Sequence, residues 1–313
     1  MLRLAAAPPP GCRLLLVAER AALAAVRDLD EAGWERLRFV EEAPPTGSAS
    51  DAAVPVLDPV RQTRPVVPGR SGAADAAGAL AALDLGMELA REGAARALVT
   101  LPVAKSSIAQ HLLPAFRGHT DYLAEACGLT HYGRDYLMAF LAPDLQVALL
   151  TVHEPLRQAL SGITTEAIAD ALGCLNRHAG GRIAVAGLNP HAGEGGLLGA
   201  EDGDVIAPAV VEARRRGWSV EGPVSPDSVF ASARAGAFDW VLALYHDQGL
   251  IAVKTAAWGE ATNWTLGLPF LRTSVDHGTA FDIAGRGVAD AAPLRAVVAT
   301  TLALVRGELP RRR

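Results

Sequence analysis

Val147-Ala148-Leu149-Leu150-Thr151-Val152 runs straight into His153, Ile183-Ala184-Val185-Ala186-Gly187-Leu188 into Asn189-Pro190-His191, and Trp240-Val241-Leu242-Ala243-Leu244-Tyr245 into His246. Short continuous apolar runs of this kind read as strands covered on both faces, the form strands take in a parallel sheet. Loops leaving the carboxyl ends of such strands are where α/β proteins place their chemistry. Three of these loops ending on histidine predict an α/β fold with a divalent-metal site. Neutral imidazole is a common ligand for zinc and similar ions, and three protein ligands leave a position open for substrate. A loop histidine hydrogen-bonded to backbone is the alternative for any one of them. The neighbours favour the site: Glu154-Pro155, Gly193-Glu194-Gly195-Gly196 and Asp247-Gln248-Gly249 supply acidic groups to orient rings and glycines for close approach.

Outward from these runs, strand-like segments alternate with alanine-rich segments of helical character, as parallel strands joined by crossover helices require. Residues 14–18 and 97–103 read as strands. Residues 21–32, 72–93, 165–178, 204–216 and 293–306 read as helices, and the proline-rich stretch 41–70 as an irregular connection. At 313 residues, half of them hydrophobic, with 31 Gly and 20 Pro, the chain can bury a large core divided into two lobes.

A net charge of -5 and the lack of basic clusters beyond Arg214-Arg215-Arg216 and Arg311-Arg312-Arg313 argue against a nucleic-acid partner. Those two runs read as solvated ends. Cys12, Cys127 and Cys174 form no CxxC, so neither a disulfide framework nor a cysteine zinc site is expected, and a reducing cytoplasm fits. Pro8-Pro9-Pro10 and Arg13 interrupt the apolar start where a signal peptide needs continuity. No apolar run is long enough to span a membrane.

Of the 29 lysines and arginines only Lys105 and Lys254 are lysine, each read as lying just beyond an apolar strand. Unlike guanidinium, an ammonium can have its pKa shifted by burial, so phosphate binding or proton transfer is inferred for both, against two chance surface lysines. Gly118-His119-Thr120-Asp121 reads as a helix start: Thr120 as its cap, His119 facing the same cleft, or a plain cap alone. His111, His131 and His178 read as structural. Asp227, in GPVSPD, is either a turn residue or a site carboxylate. In residues 263–287, Asn263 and Arg272 flank a short apolar segment, and Arg272 offers a bidentate fork for phosphate or carboxylate. Beyond them, Asp276-His277-Gly278-Thr279-Ala280 and Asp282-Ile283-Ala284-Gly285 form a small-residue binding loop.

The segments GHTDYLA, TVHEPL, GLNPHAGEGG, LYHDQGL and LGLPFLRTSVDHGTAFDIAG together resemble the motifs of the 4-hydroxythreonine-4-phosphate dehydrogenase family, NAD-dependent enzymes of pyridoxal phosphate biosynthesis. The resemblance runs from about Leu14 to the C-terminus. It implies a two-lobed α/β/α fold with a mainly parallel sheet, like isocitrate and isopropylmalate dehydrogenases. Residues 1–115 with 264–313 would form a cofactor-side lobe, and 116–263 a metal, substrate and dimerisation lobe. By position it implies His153, His191 and His246 as metal ligands, with His246 contributed across the interface of a homodimer. His119, Thr120, Lys254, Asn263 and Arg272 would contact the phosphorylated substrate. Asp276, His277, Gly278, Thr279, Asp282 and Gly285 would help bind NAD or NADP. Asp227 and Asp247 would lie near the chemistry, with Lys105 or Lys254 handling a proton. The metal expected is one divalent ion, Zn first, then Mg or Co.

The implied reaction oxidises 4-phosphooxy-L-threonine to a β-keto acid that loses carbon dioxide. A four-carbon aldonate 4-phosphate or a dihydrodiol carboxylate is the alternative substrate. A metal-dependent hydrolase and an inactive binding protein are alternatives of other classes. The family opens with a strand running into a GDPAGIGPE loop, and neither is present here. Met1-Leu2-Arg3-Leu4-Ala5-Ala6-Ala7 reads as the later part of the helix that follows that loop. The expectation is a start codon assigned too late or, failing that, an unfilled position in the sheet. Leu101 and Ala104 also depart from the family pattern, which has a small residue and a polar one there.

Overall fold

The computed structural model describes residues 1–45 and 53–309, so the Arg311-Arg312-Arg313 tail lies outside the described residues. Among these, strands form at β1 (Leu16–Val17), β2 (Leu37–Val40), β3 (Val54–Leu57), β4 (Ala97–Thr100), β5 (Leu137–Ala142), β6 (Leu145–Leu149), β7 (Ile183–Ala186), β8 (Val220–Val224), β9 (Trp240–Ala243), β10 (Thr262–Leu266) and β11 (Leu271–Val275). The chain divides into two compact units, Met1–Leu123 with Pro269–Glu308, and one built on Ala124–Leu268. Each contains parallel strands with helices in the connections, the α/β class that the alternation of segments predicts.

The second unit carries strands in the order β10-β5-β6-β9-β7-β8. The β10/β5 and β5/β6 pairs are antiparallel, whereas β6/β9, β9/β7 and β7/β8 are parallel. The three runs that end on histidine are therefore adjacent parallel strands, and their carboxyl ends lie at one edge. Val147, Leu149, Ala184, Val185, Val241 and Leu242 are fully buried, each such Val or Leu contributing about 1.5–3 kcal/mol. A short helix, Leu156–Gly162, directly follows the His153 loop, and helix Thr165–His178 comes after it, its start capped by Thr164 Oγ1, which accepts from Ala167 N at 3.1 Å. Its Ile168, Ala171, Leu172 and Leu175 recur at helical spacing and are all buried.

In the first unit β1-β3-β2 form one parallel sheet, and β4 pairs with β11 in parallel. The strand Val54–Leu57 corrects the irregular reading of 41–70. Pro55 disguised it, yet Val54, Val56 and Leu57 are buried and β3 is central in its sheet. The helix expected over 21–32 is also broken, into Arg20–Ala24, a short turn and Glu31–Glu35. Asp30 starts a new helix by accepting from Gly33 N at 2.8 Å, the competition of a short acidic side chain with the helical backbone.

The first residues form helix Leu2–Ala6. Among the described residues β1 pairs with β3 alone, and Leu14, Leu16 and Ala18 on its side line the same cavity as Ala97, Leu98 and Thr100 on the side of β4. That cavity measures about 1340 Å³, larger than the 300–1,000 Å³ usual for a small-molecule pocket. It lies where β1 and β4 each present a sheet edge among the described residues.

Candidate active site

Two constellations form, one in each unit. In the second unit the carboxyl ends of β6 and β9 bring His153 and His246 together, with ring centroids 5.3 Å apart and planes tilted by 47°. Thr151 Oγ1 donates to Leu244 O at 3.0 Å and ties the two strand exits to each other. The strand β9 ends at Ala243 and His246 is the first residue of helix His246–Ala256. Gly249 sets how closely that helix packs: a Cβ there would meet Leu149 Cδ2 at 2.6 Å and Val147 Cγ1 at 2.9 Å. His246 Nδ1 lies 2.7 Å from Asp247 Oδ1. Donation from Nδ1–H to that carboxylate leaves the Nε2 lone pair for a metal. Val152, His153, Glu154, Tyr245, His246 and Asp247 line a cleft of about 330 Å³.

His191 stands in the loop after β7 in the left-handed region, φ 53°, as do Ala192 and Glu194. Among the described residues no three His, Cys, Asp or Glu side chains gather closely enough to hold an ion within one chain. The His153 and His246 pair fits two positions of a metal site.

In the first unit a cationic pocket forms at the ends of β4 and β11. Arg272 on β11 is 2% exposed; its Nη2 donates to Thr100 Oγ1 at 2.6 Å and its Nη1 to Thr120 Oγ1 at 3.2 Å. Burial lowers its pKa to about 10. Lys105 begins helix Lys105–His111, and a Cβ on Gly118 would meet its Cε at 3.1 Å and Nζ at 3.2 Å. The ammonium thus lies against the start of helix His119–Ala126, where backbone N–H groups favour an anion. His119, half-buried there, has its pKa pushed down to about 3, first by desolvation, then by the charges of Arg272 and Lys105. Leu101 and Ala104 offer no polar group to this pocket, so Thr100 and Thr120 supply its hydroxyls. Thr100 was absent from the residues singled out in the sequence: with a strand read over 97–103 it fell inside the run, whereas β4 ends on it.

The depressed His119 pKa has a consequence for stability. An unfolded histidine takes its proton near pH 6.5, whereas the folded one stays neutral down to about pH 3. The unfolded state therefore binds more protons across that window, and the stabilising contribution, present above pH 6.5, is lost as pH falls toward 3. Melting temperatures followed from pH 7 to pH 4 are expected to fall less steeply for His119→Gln than for the natural chain. Equal slopes would overturn the assignment.

The remaining candidates are placed as follows. Asn263 lies on β10, its Oδ1 buried with no donor to it among the described residues, a polar atom in need of a ligand or water. Lys254 is in the last turn of helix His246–Ala256 and not beyond a strand; the apolar run before it is helical, a distinction that short apolar runs leave open. Asp227 is exposed in the turn after β8, accepting from Ser225 Oγ at 2.7 Å, and does not line the His153/His246 cleft. Residues 276–285 follow the carboxyl end of β11 as a loop of exposed and half-buried residues. In it Ala280 and Gly285 have φ of 49° and 76°, and His277 Nδ1 lies 2.9 Å from Gly278 O.

These motifs have counterparts. Residues 11–301 match the family model described as the pyridoxal phosphate biosynthetic protein PdxA. A 4-hydroxythreonine-4-phosphate dehydrogenase of Acidithiobacillus ferrooxidans is 46% identical over 258 residues, 80% of this chain and 76% of that protein. One of Maricaulis maris is 47% identical, over 75% of this chain and 72% of that protein. The crystal structure of the Klebsiella pneumoniae 4-hydroxythreonine-4-phosphate dehydrogenase aligns with a TM-score of 0.84 at 33% identity, covering 97% of this chain and 94% of that one. A terephthalate 1,2-cis-dihydrodiol dehydrogenase of Burkholderia xenovorans aligns less well, with a TM-score of 0.60 at 27% identity over 95% and 98% of the two chains. With its motifs in order and the match running through both units, the chain belongs to the PdxA family of pyridoxal phosphate biosynthetic proteins.

Proposed function

We propose that the protein oxidises 4-phosphooxy-L-threonine, using NAD or NADP and a divalent metal, to a β-keto acid that decarboxylates to 3-amino-2-oxopropyl phosphate. The observation that carries this reading is the buried Arg272 guanidinium held by Thr100 and Thr120 beside Lys105 and the start of helix His119–Ala126. Guanidinium fork donors, an ammonium and helix-terminal N–H groups, gathered around His119, are the group types that suit an esterified phosphate. Neutral His119 adds a hydrogen-bonding group and no further charge. Lys254 and Asn263 complete the substrate contacts in this reading, Asn263 through its unsatisfied amide oxygen.

His153 and His246 would hold the metal together with His191, the set completed within a homodimer, and Asp247 fixes the His246 tautomer. The bound ion and nicotinamide supply the acidity of the substrate alcohol and the hydride acceptor. The chain's own residues fix the phosphate, so that binding energy from a part of the substrate that does not react orients the carbon that does. Asp227 and Asp247 stand as carboxylates for proton handling in this reading, with Lys105 and Lys254, and residues 276–285 as the dinucleotide loop. The protein is expected to act in the cytoplasm; no helix among the described residues is long and apolar enough to cross a membrane.

The test is a coupled assay of the purified protein with Zn²⁺, Co²⁺ or Mg²⁺ and each dinucleotide. NADH or NADPH formation with 4-phosphooxy-L-threonine supports the reading. Reduction only with erythronate or threonate 4-phosphate rejects it.

A further inference from the structure

The loop that carries His191 is locally unfavourable. His191, Ala192 and Glu194 all have positive φ, as do Gly193 and Gly195 between and after them. Non-glycine residues persist in the left-handed region only where their surroundings over-determine them. Two side chains supply that constraint: the buried Asp202, not singled out in the sequence, and the half-buried Gln248, quoted there only as a neighbour of His246. The Asp202 carboxylate, 1% exposed, accepts from Leu188 N at 2.8 Å through Oδ1, and from Asn189 N at 3.0 Å and Asn189 Nδ2 at 2.9 Å through Oδ2. Three donors converge and none needs a donor in return, so an all-acceptor group is required and the isosteric amide is unsuitable. Gly187 leaves room for it, since a Cβ there would meet Asp202 Oδ1 at 3.0 Å and Ala192 Cα at 3.1 Å. The second constraint is Gln248, two residues after His246. Its Oε1 accepts from Leu244 N at 2.7 Å and its Nε2 donates to Gly187 O at 2.8 Å. One amide therefore spans the exits of β9 and β7, the strands that lead to His246 and His191.

We propose that Asp202 and Gln248 are positioning residues that lock the strained His191 loop and set it in register with the His246 loop. This rests on the reading of His191 and His246 as metal ligands. Neither residue need touch metal or substrate; outer contacts of this kind typically change metal affinity by roughly 10–100-fold.

The experiment compares the full-length protein with Asp202→Asn, Gln248→Met and Gln248→Glu. Co²⁺ binding is followed by calorimetry and visible absorption, and amide exchange by mass spectrometry over residues 187–199. Asp202→Asn and Gln248→Met are expected to weaken Co²⁺ binding at least tenfold and to speed exchange over 187–199, while exchange over 137–142 stays unchanged. Turnover should fall through kcat with KM for the phosphorylated substrate held. Gln248→Glu, which keeps the acceptor for Leu244 N and loses the donor to Gly187 O, should fall between. Co²⁺ affinity within twofold of the natural chain, with unchanged exchange over 187–199, overturns the proposal. Should Asp202→Asn fail to fold, the Gln248 pair decides. Should the natural chain take up no Co²⁺, the metal reading fails, and the exchange comparison alone decides whether these residues lock the loop.

Discussion

Arg272→Met is expected to lower kcat/KM for 4-phosphooxy-L-threonine by roughly 10²–10³-fold, the equivalent of about 3–4 kcal/mol for truncating one partner of a buried charged pair. The same variant should melt no lower than the natural chain. A guanidinium that is 2% exposed bears a large desolvation cost, visible in its pKa of about 10, and a thioether of similar length avoids it. Loss of function without loss of stability separates a binding residue from a structural one. Inorganic phosphate provides an independent reading: it should raise the melting temperature of the natural chain and leave Arg272→Met unmoved. Arg272→Lys should not rescue, because one ammonium cannot span Thr100 Oγ1 and Thr120 Oγ1 while presenting a fork to an anion. Full activity in Arg272→Met, or an equal phosphate-induced shift in both proteins, sinks the phosphate pocket.

The second large effect concerns the imidazole pair. His153→Ala and His246→Ala are each expected to reduce Co²⁺ or Zn²⁺ affinity by more than the roughly 10–100-fold that loss of an outer hydrogen-bond partner costs. Turnover should fall with it and not return at ordinary metal concentrations. Asp247→Asn, which disturbs only the carboxylate 2.7 Å from His246 Nδ1, should show the smaller, outer-partner effect. Chelator-treated natural protein is expected to lose activity and regain it on addition of the ion. Undiminished turnover after chelation, verified by elemental analysis, would remove the metal from the mechanism.

The parts of the fold that could be read from residues alone are those where local pattern and burial agree. The three apolar runs with histidines beyond their ends each hold a strand, β6, β7 and β9, which stops two or three residues before the run does. Helix Thr165–His178 announces itself by its capping threonine and acidic first turn. Where two periods fit the same residues, reading failed. The run before Lys254 is helical, β5 passed unnoticed although all six of its residues are buried, and Pro55 concealed a central strand. The two-residue connection between β5 and β6, Pro143-Asp144, was the available hint of a hairpin.

By itself the sequence determined the α/β class, the family, and the types of group at the site, because side-chain chemistry and apolar periodicity are properties of neighbours along the chain. Only the tertiary structure decided which of those groups meet. Arg272 and Thr100 are 172 positions apart, and pairing β4 with β11 makes them partners. The same holds for His153 and His246, joined by parallel pairing of β6 with β9, and for Asp202 under the His191 loop. The physical reason is that a buried charge or strained turn is tolerated only when distant segments satisfy it, and long-range pairing leaves no periodic trace in sequence.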